Sequence, residues 1–345
     1  MAKRDIVVIG ASAGGVMALR ELVSAFPADF QAPVFIIQHV SSTSPSLMPE
    51  ILSRSGPLKV IHPQDGAPIQ AGYIYIAPPD HHMILENDRI LVKKGPKENR
   101  FRPSIDALFR SAAYTFGSRV IGVVLTGLLN DGTSGMWSIK RLGGIGIVQQ
   151  PEDAAYPSMP TSVLEYVDVD YVLPLSDIGA LICKLTQEQA ALTPELTAHE
   201  LDRLEIEVSV AAQGDAFDMG ILTMGELSPL TCPECSGVLV RFDEGRLIRY
   251  RCHTGHGYTS DALLSELTES VEASLWKTLR GLEETIILLE QSSEVLSDAD
   301  DTTIADQFTK KAQETRKLAQ AIRKLTYNHE QYSEEDLVEK AREGE

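Results

Sequence analysis

The sequence predicts an α/β protein: a doubly wound, mostly parallel sheet, followed by a small zinc-ribbon-like element and a helical C-terminal region. Three patterns predict it. Near-continuous apolar runs of strand length alternate with helical segments from residue 5 to about 185, as in a parallel sheet covered on both faces. Cysteines and histidines then cluster between 232 and 256 at metal-ligand spacing. Beyond Ala262 the apolar residues recur at helical intervals with charges between them.

Taken in order, the strands are expected at 6–10, 34–38, 58–62, 73–77, 120–127, 145–149 and 170–175. Leu19, Leu22, Val23 and Phe26 form one face of a helix, and Pro103 is expected to open another, running through SIDALFRSAAYTF. Residues 83–92 read as an antiparallel hairpin turning at Asn87 and Asp88. The α/β pattern defines a domain over 1–187. It dissolves over 188–228, which reads as a linker, and a compact element follows at 229–262. Within 263–345, Leu264, Val271, Leu275, Leu282, Ile286 and Leu289 mark one helical stripe. Ile304, Phe308, Leu318, Ile322 and Leu325 belong to a second helix after a break at 297–301. A helical hairpin or coiled-coil pairing is expected.

The chain has 345 residues and a formal net charge of -18, enough length for several domains and the wrong sign for nonspecific nucleic-acid binding. No apolar run reaches membrane-spanning length, and the chain enters a strand within five residues, leaving no room for a signal peptide. A cytoplasmic location is expected. With only four cysteines a disulfide scaffold is not expected, and Cys183, alone in the apolar pattern LICKL, reads as core.

Residues 5–15, DIVVIGASAGG, run from a buried-type strand into a turn of small residues and then a helix. The turn reads as G-x-S-x-G, which exposes a serine hydroxyl at the end of a sheet. It lacks the second glycine of a dinucleotide fingerprint and the Gly-Lys-Ser/Thr of a phosphate loop. Ligands of open parallel sheets bind beyond the carboxyl ends of the strands. Ser12 ends the first strand, His39 ends VFIIQ, and Asp131 follows VIGVVLTG in LLNDGTSG, so all three are expected on one edge. A serine needs a base, and an imidazole base needs a carboxylate to set its tautomer. His81 and His82 are rival bases, and residue chemistry alone leaves the choice open.

Cys232, Cys235, Cys252 and His256 have the spacing of a structural zinc ribbon, with His253 as a rival fourth ligand. A full set of four protein ligands leaves no open position for catalysis, so the zinc is expected to be structural, with no cofactor for the reaction. An element this short would depend on the metal to fold.

GASAGG (10–15), QHV (38–40), YIAPPDHHM (75–83), RPSIDALF (102–109), LTGLLNDGTSGM (125–136) and MPTSVL (159–164) together resemble the catalytic domain of the CheB-type chemotaxis receptor methylesterases. The likeness is ordered and spans roughly residues 4–186. It implies Ser12 as nucleophile, His39 as base and Asp131 as orienting acid, acting on γ-glutamyl methyl esters of receptor helices and on certain glutamines. Backbone N–H groups around Gly127 and Leu128 and after Ser12, at Ala13, are the implied oxyanion donors. Two positions depart from the family, which usually has Thr where this chain has Ala13 and Met where it has Leu128. Members typically carry an N-terminal receiver domain, whereas here the catalytic block begins at the first residues, so regulation is expected from elsewhere. Some receiver-less members have a similar CPEC…RCHxGH tail. The expected partner is a methylated chemoreceptor or related signalling protein, with the helical tail as a docking or self-association module. Two further readings are an amidase or esterase on another target, and a signalling scaffold with little hydrolase activity whose zinc ribbon and helical tail bind partners.

Overall fold

The computed structural model describes residues 2–40, 45–298, 302–330 and 332. The chain divides into two compact units, Met1–Leu263 and Leu264–Glu345.

In the first unit, β1 (Ile6–Ala11), β2 (Val34–Gln38), β3 (Lys59–Ile61), β5 (Tyr73–Ile76), β8 (Val120–Val124), β9 (Ile145–Gln149) and β10 (Tyr171–Leu173) form a seven-stranded sheet in the order β10-β9-β8-β1-β2-β5-β3. Every pairing in it is parallel. Successive side chains of a strand point to opposite faces, and the core splits accordingly. Val7, Ile9 and Ala11 pack with α1 (Gly15–Ser24), α2 (Met48–Ser53) and α6 (Leu175–Leu185). Ile6 and Val8 pack with α3 (Ile105–Phe116), α4 (Thr133–Arg141) and α5 (Ser158–Tyr166). The chain leaves β1 toward β2 on one side and reaches β8 on the other. The carboxyl ends of β1 and β8 therefore meet at a topological switch point, where open α/β sheets form a crevice. A smaller antiparallel sheet, β4 (Ala67–Pro68), β7 (Arg89–Lys93) and β6 (His82–Glu86), includes the expected hairpin, with Asn87 in the left-handed region at φ 52°.

Several boundaries differ from expectation. Pro103 does not open α3: Ser104, extended at φ −108° and ψ 140°, is the residue before the helix, and Pro103 lies outside it. The expected linker contains α7 (Ala198–Ala211), begun by a capping box in which Thr197 accepts from Glu200 N and Glu200 reaches back to Thr197 N. Val208 and Ala211 of α7 pack on Ala107 of α3 and on Ile84. Also earlier than expected is β11 (Glu226–Thr231), which joins β12 (Val238–Glu244), β13 (Leu247–Cys252) and β14 (Gly257–Thr259) in an antiparallel four-stranded sheet.

That sheet meets the α/β core through buried charge. Glu98, Arg110, Glu207, Glu244, Arg249 and Arg251 are each 2% exposed or less. Arg251 Nη2 donates to Glu98 Oε1 and Glu207 Oε1, each at 2.7 Å, and Arg249 Nη1 donates to Glu207 Oε1 at 2.6 Å and Glu244 Oε1 at 3.1 Å. Arg110 Nη1 donates to both oxygens of Glu98 at 3.0 and 3.1 Å, and Ser134 accepts from Arg110 while donating to Glu244. Three acids and three guanidiniums balance, as burial in a low-dielectric interior demands.

In the second unit, α8 (Ser260–Asp298) from Leu264 onward packs with α9 (Thr302–Tyr327). The seam uses Leu279, Ile286, Ala312 and Ala319, flanked by Leu282, Leu289 and Ile322. Val271, Ile304, Leu318 and Leu325 of the expected stripes are instead exposed. Leu282, Ile286, Leu289 and Ile322 of the expected stripes lie in this seam, and the small residues Ala312 and Ala319 on α9 complete it. Of the expected break at 297–301, residues 299–301 lie outside the described residues.

Burial opposes ionisation of Glu207, but Arg110, Arg249 and Arg251 outweigh it and hold its carboxyl down at about 2, against 4.5 in an unfolded chain. Its contribution to stability is complete above pH 4.5 and is lost as pH falls toward about 2. Removing one partner of a buried ion pair costs ~3–5 kcal/mol. Urea unfolding at pH 7 should find Glu207→Gln less stable by that amount, with the gap narrowing at about pH 3.5 as the wild type loses its advantage.

Candidate active site

The elbow after β1 is shaped by backbone demands. Gly14 takes a left-handed conformation at φ +75°, and a Cβ there would press on Ala155 Cβ and Thr126 Oγ1 at 3.1 Å. Ser12 N donates to Thr126 O at 3.0 Å and Gly15 N donates to Ser12 O at 2.9 Å, closing the turn. The buried Gln38 side chain donates to the carbonyls of both Ser12 (2.8 Å) and His39 (3.0 Å), tying the ends of β1 and β2 together.

Ser12, His39 and Asp131 come together at this edge. Ser12 Oγ lies 3.1 Å from His39 Nδ1, and His39 Nε2 lies 2.9 Å from Asp131 Oδ2. A carboxylate can only accept, so His39 carries its proton on Nε2 and turns the Nδ1 lone pair toward the Ser12 hydroxyl. The imidazole is also held by stacking on Phe101, with ring centroids 3.7 Å apart and planes 10° apart. The rivals are engaged elsewhere: His82 is fully buried between Pro96 O and Ser104 N, and His81 Nδ1 donates to Pro79 O.

Asp131 is fully buried and fully used. Its Oδ2 accepts from His39 Nε2 and from Ile105 N at 2.6 Å, and its Oδ1 accepts from Ser104 Oγ at 2.8 Å, Asn99 Nδ2 at 3.2 Å and Asp106 N at 3.3 Å. The carboxylate thus sits on the N-terminus of α3, where free N–H groups and the helix dipole favour negative charge. Burial works against its ionisation, and His39, the Ile105 N–H and the Ser104 hydroxyl outweigh it, keeping the carboxyl below its ordinary range. Asp106 returns the arrangement on α4: its Oδ1 accepts from Gly132 N at 2.9 Å and Gly135 N at 2.6 Å. Burial, followed by the adjacent Asp131 charge, pushes the Asp106 carboxyl up to about 8. Of two neighbouring buried acids, Asp131 stays ionised and Asp106 holds the proton more tightly.

Of the expected oxyanion donors, Gly127 is committed, its N–H donating to Tyr156 O at 3.0 Å. The N–H groups of Ala13 and Leu128 have no backbone acceptor among the described residues. Leu128 is 47% exposed and Ser12 half-buried, so the site opens to solvent on this side.

Cys232, Cys235, Cys252 and His256 converge in the four-stranded sheet, with their four ligand atoms within 4.8 Å of one another. Cys235 Sγ and Cys252 Sγ are 3.7 Å apart, and His256 Nδ1 lies 3.7 Å from Cys232 Sγ and 3.5 Å from Cys252 Sγ. Tetrahedral zinc with Zn–S of about 2.3 Å and Zn–N of about 2.0 Å requires edges of about 3.8 and 3.5 Å. The donor set fits that ion in number and softness, and these three of its six edges have the required length. Hydroxyls of Tyr258 (3.4 Å from Cys232 Sγ) and Thr254 (3.0 Å from Cys252 Sγ) lie beside the sulfurs. His253 is not part of the group.

Sequence reasoning missed Phe101, Asn99, Ser104 and Asp106. The last two had a signal: a Ser before an apolar run marks a helix start, and an acid inside SIDALF breaks an otherwise buried helical face.

The sequence model for CheB methylesterases matches residues 7–182. A Leptospira interrogans protein, provisionally named protein-glutamate methylesterase/protein-glutamine glutaminase, is 37% identical over 184 residues, covering 53% of this chain and 95% of its own. A Methanosarcina mazei protein-glutamate methylesterase/protein-glutamine glutaminase is 36% identical over 192 residues, covering 53% of this chain and 52% of its own. The crystal structure of the Thermotoga maritima CheB methylesterase catalytic domain superposes with a TM-score of 0.51 at 34% identity, covering 54% of this chain and 99% of that one. The α/β part of this chain therefore belongs to the CheB methylesterase family.

Proposed function

We propose that this chain is a protein-glutamate methylesterase, and also a protein-glutamine glutaminase, acting on a chemoreceptor or related signalling protein through Ser12, His39 and Asp131. The observation that carries this reading is the continuous line from Ser12 Oγ through His39 to Asp131 at the carboxyl edge of the sheet. His39 Nδ1 takes the Ser12 proton as Oγ attacks the γ-glutamyl carbonyl. The N–H groups of Ala13 and Leu128 are the candidate donors to the oxyanion. Asp131 stabilises the imidazolium without taking its proton. Collapse breaks the C–O bond to the methoxy group, and His39 delivers the proton that makes methanol. Water, deprotonated by the same Nδ1, then releases glutamate and restores Ser12. With a glutamine side chain the leaving group is ammonia, in keeping with the two activities in the names of the relatives.

Within this reading β11–β14 are a zinc ribbon, 188–228 joins it to the catalytic domain, and α8 with α9 form a helical hairpin for docking or self-association. Cys232, Cys235, Cys252 and His256 would hold the ion, which supplies folding free energy and takes no part in the hydrolytic step. No described helix is long and apolar enough to cross a membrane, and the proposed place of action is the cytoplasmic face of the receptor.

Methanol release from a methylated receptor fragment should be measurable with the wild type and fall by about 10³-fold or more in Ser12→Ala. Equal release by both would rule out Ser12 as nucleophile. Elemental analysis of purified protein should find about one zinc per chain. Chelator should lower the melting temperature, as should Cys235→Ser. An unchanged melting temperature with and without chelator would remove the metal from the account.

A further inference from the structure

The site includes a tight turn held from both sides, by the α/β domain through Arg110 and by the four-stranded sheet. Glu98 N donates to Phe101 O and Phe101 N donates to Glu98 O, closing residues 98–101 into a turn. Within it Asn99 and Arg100 both occupy the left-handed region, at φ 47° and 78°. Asn tolerates that conformation, but Arg100 pays for it and keeps it only where its surroundings impose it. Here the surroundings are α3, through Arg110 on Glu98, and the four-stranded sheet. Asn99 N donates to Gly257 O at 2.8 Å, Gly257 N donates to Lys97 O at 3.2 Å, and Arg251 anchors the buried Glu98 carboxylate.

The turn carries two contacts to the proposed machinery: Phe101 stacks on the His39 ring, and Asn99 Nδ2 donates to Asp131 and to Asp106. An asparagine amide has a donor end and an acceptor end, and something must decide which faces the acid. Thr259 N decides it by donating to Asn99 Oδ1 at 3.0 Å, which leaves Nδ2 facing the carboxylates. The Thr259 hydroxyl donates to Oδ1 of Asn130, the neighbour of Asp131, at 2.9 Å.

We propose that Asn99 is a positioning residue for Asp131, and that β13 and β14 of the four-stranded sheet, through Arg251, Gly257 and Thr259, set the turn that aims it. The sheet is thereby part of the hydrolytic apparatus. This deepens the reading of Ser12, His39 and Asp131 as the reacting set and rests on it.

Asn99→Gly removes the amide while suiting the positive φ, and Thr259→Val removes one hydroxyl with little change of shape. Two measurements test the proposal: hydrolysis of a methylated receptor fragment, and the low-field proton resonance of the His39 Nε2–H to Asp131 bond. Asn99→Gly should lower kcat by about 10- to 100-fold with KM within about twofold, since small misplacements of reacting groups act on the chemical step. It should also shift or broaden the low-field resonance. Thr259→Val, which keeps the Thr259 N–H to Asn99 Oδ1 bond, should leave the resonance in place. The proposal is overturned if Asn99→Gly keeps its kcat and its resonance. Should the wild type release no methanol, the esterase reading fails, while a resonance altered in Asn99→Gly still supports the positioning role and an unaltered one ends it.

Discussion

Two aspartates exchange places at the heart of this protein. Asp131, just ahead of α4, caps the N-terminus of α3, and Asp106, inside α3, caps the N-terminus of α4. Each satisfies N–H groups that a helix start leaves without partners. Together they fix the crossing of two helices packed so closely that a Cβ on Gly135 would lie 2.4 Å from Phe109 Cβ. The same constraint sets the acid: once Asp131 is seated on α3, only one edge of its carboxylate is left for His39. The position of His39 relative to Ser12 follows from the parallel register of β1 and β2.

Keeping two carboxylates in one dry interior is costly, and the molecule separates their charges by environment. Asp131 receives N–H and O–H donors on both oxygens and the imidazole as partner, whereas burial and the Asp131 charge drive Asp106 toward its acid form. Beyond Asp106 the six-residue charge cluster links α3, α7 and the four-stranded sheet into one unit. Such a cluster gains little over a well-packed apolar core. Its arginines match buried acids one for one, which fixes how the added sheet seats on the α/β domain. A second, weaker tie runs from Thr259 through Asn99 and Asn130 to the Asp131 loop.

Much of the α/β architecture was legible because it rests on local pattern. Apolar runs such as IVVIG and VFIIQ are buried on both faces, and Asn87 and Asp88 carry a turn chemistry that reads directly. Ser12, His39 and Asp131 were legible from strand ends, since a parallel sheet gathers its carboxyl termini on one edge. What stayed hidden depends on partners distant in sequence. Glu207 looks like one more acid on a polar segment until Arg249 and Arg251 arrive from more than forty positions later. Asn99 reads as loop, because its contact with Thr259 forms only once the chain folds back 160 positions later. Gly127 was expected to point its N–H at the reacting centre, but the return of the chain at Tyr156 claims that group. In the C-terminal helices Leu282, Ile286, Leu289 and Ile322 of the expected stripes lie in the seam, while its small residues Ala312 and Ala319 carry no large-apolar signal.

The most direct test of the central claim is covalent labelling with a fluorophosphonate, followed by peptide mass spectrometry to locate the adduct. A serine activated through His39 and Asp131 predicts a single adduct on Ser12, formed by the wild type and absent from His39→Ala. An adduct on another serine, or labelling of Ser12 that persists without His39, would contradict the account.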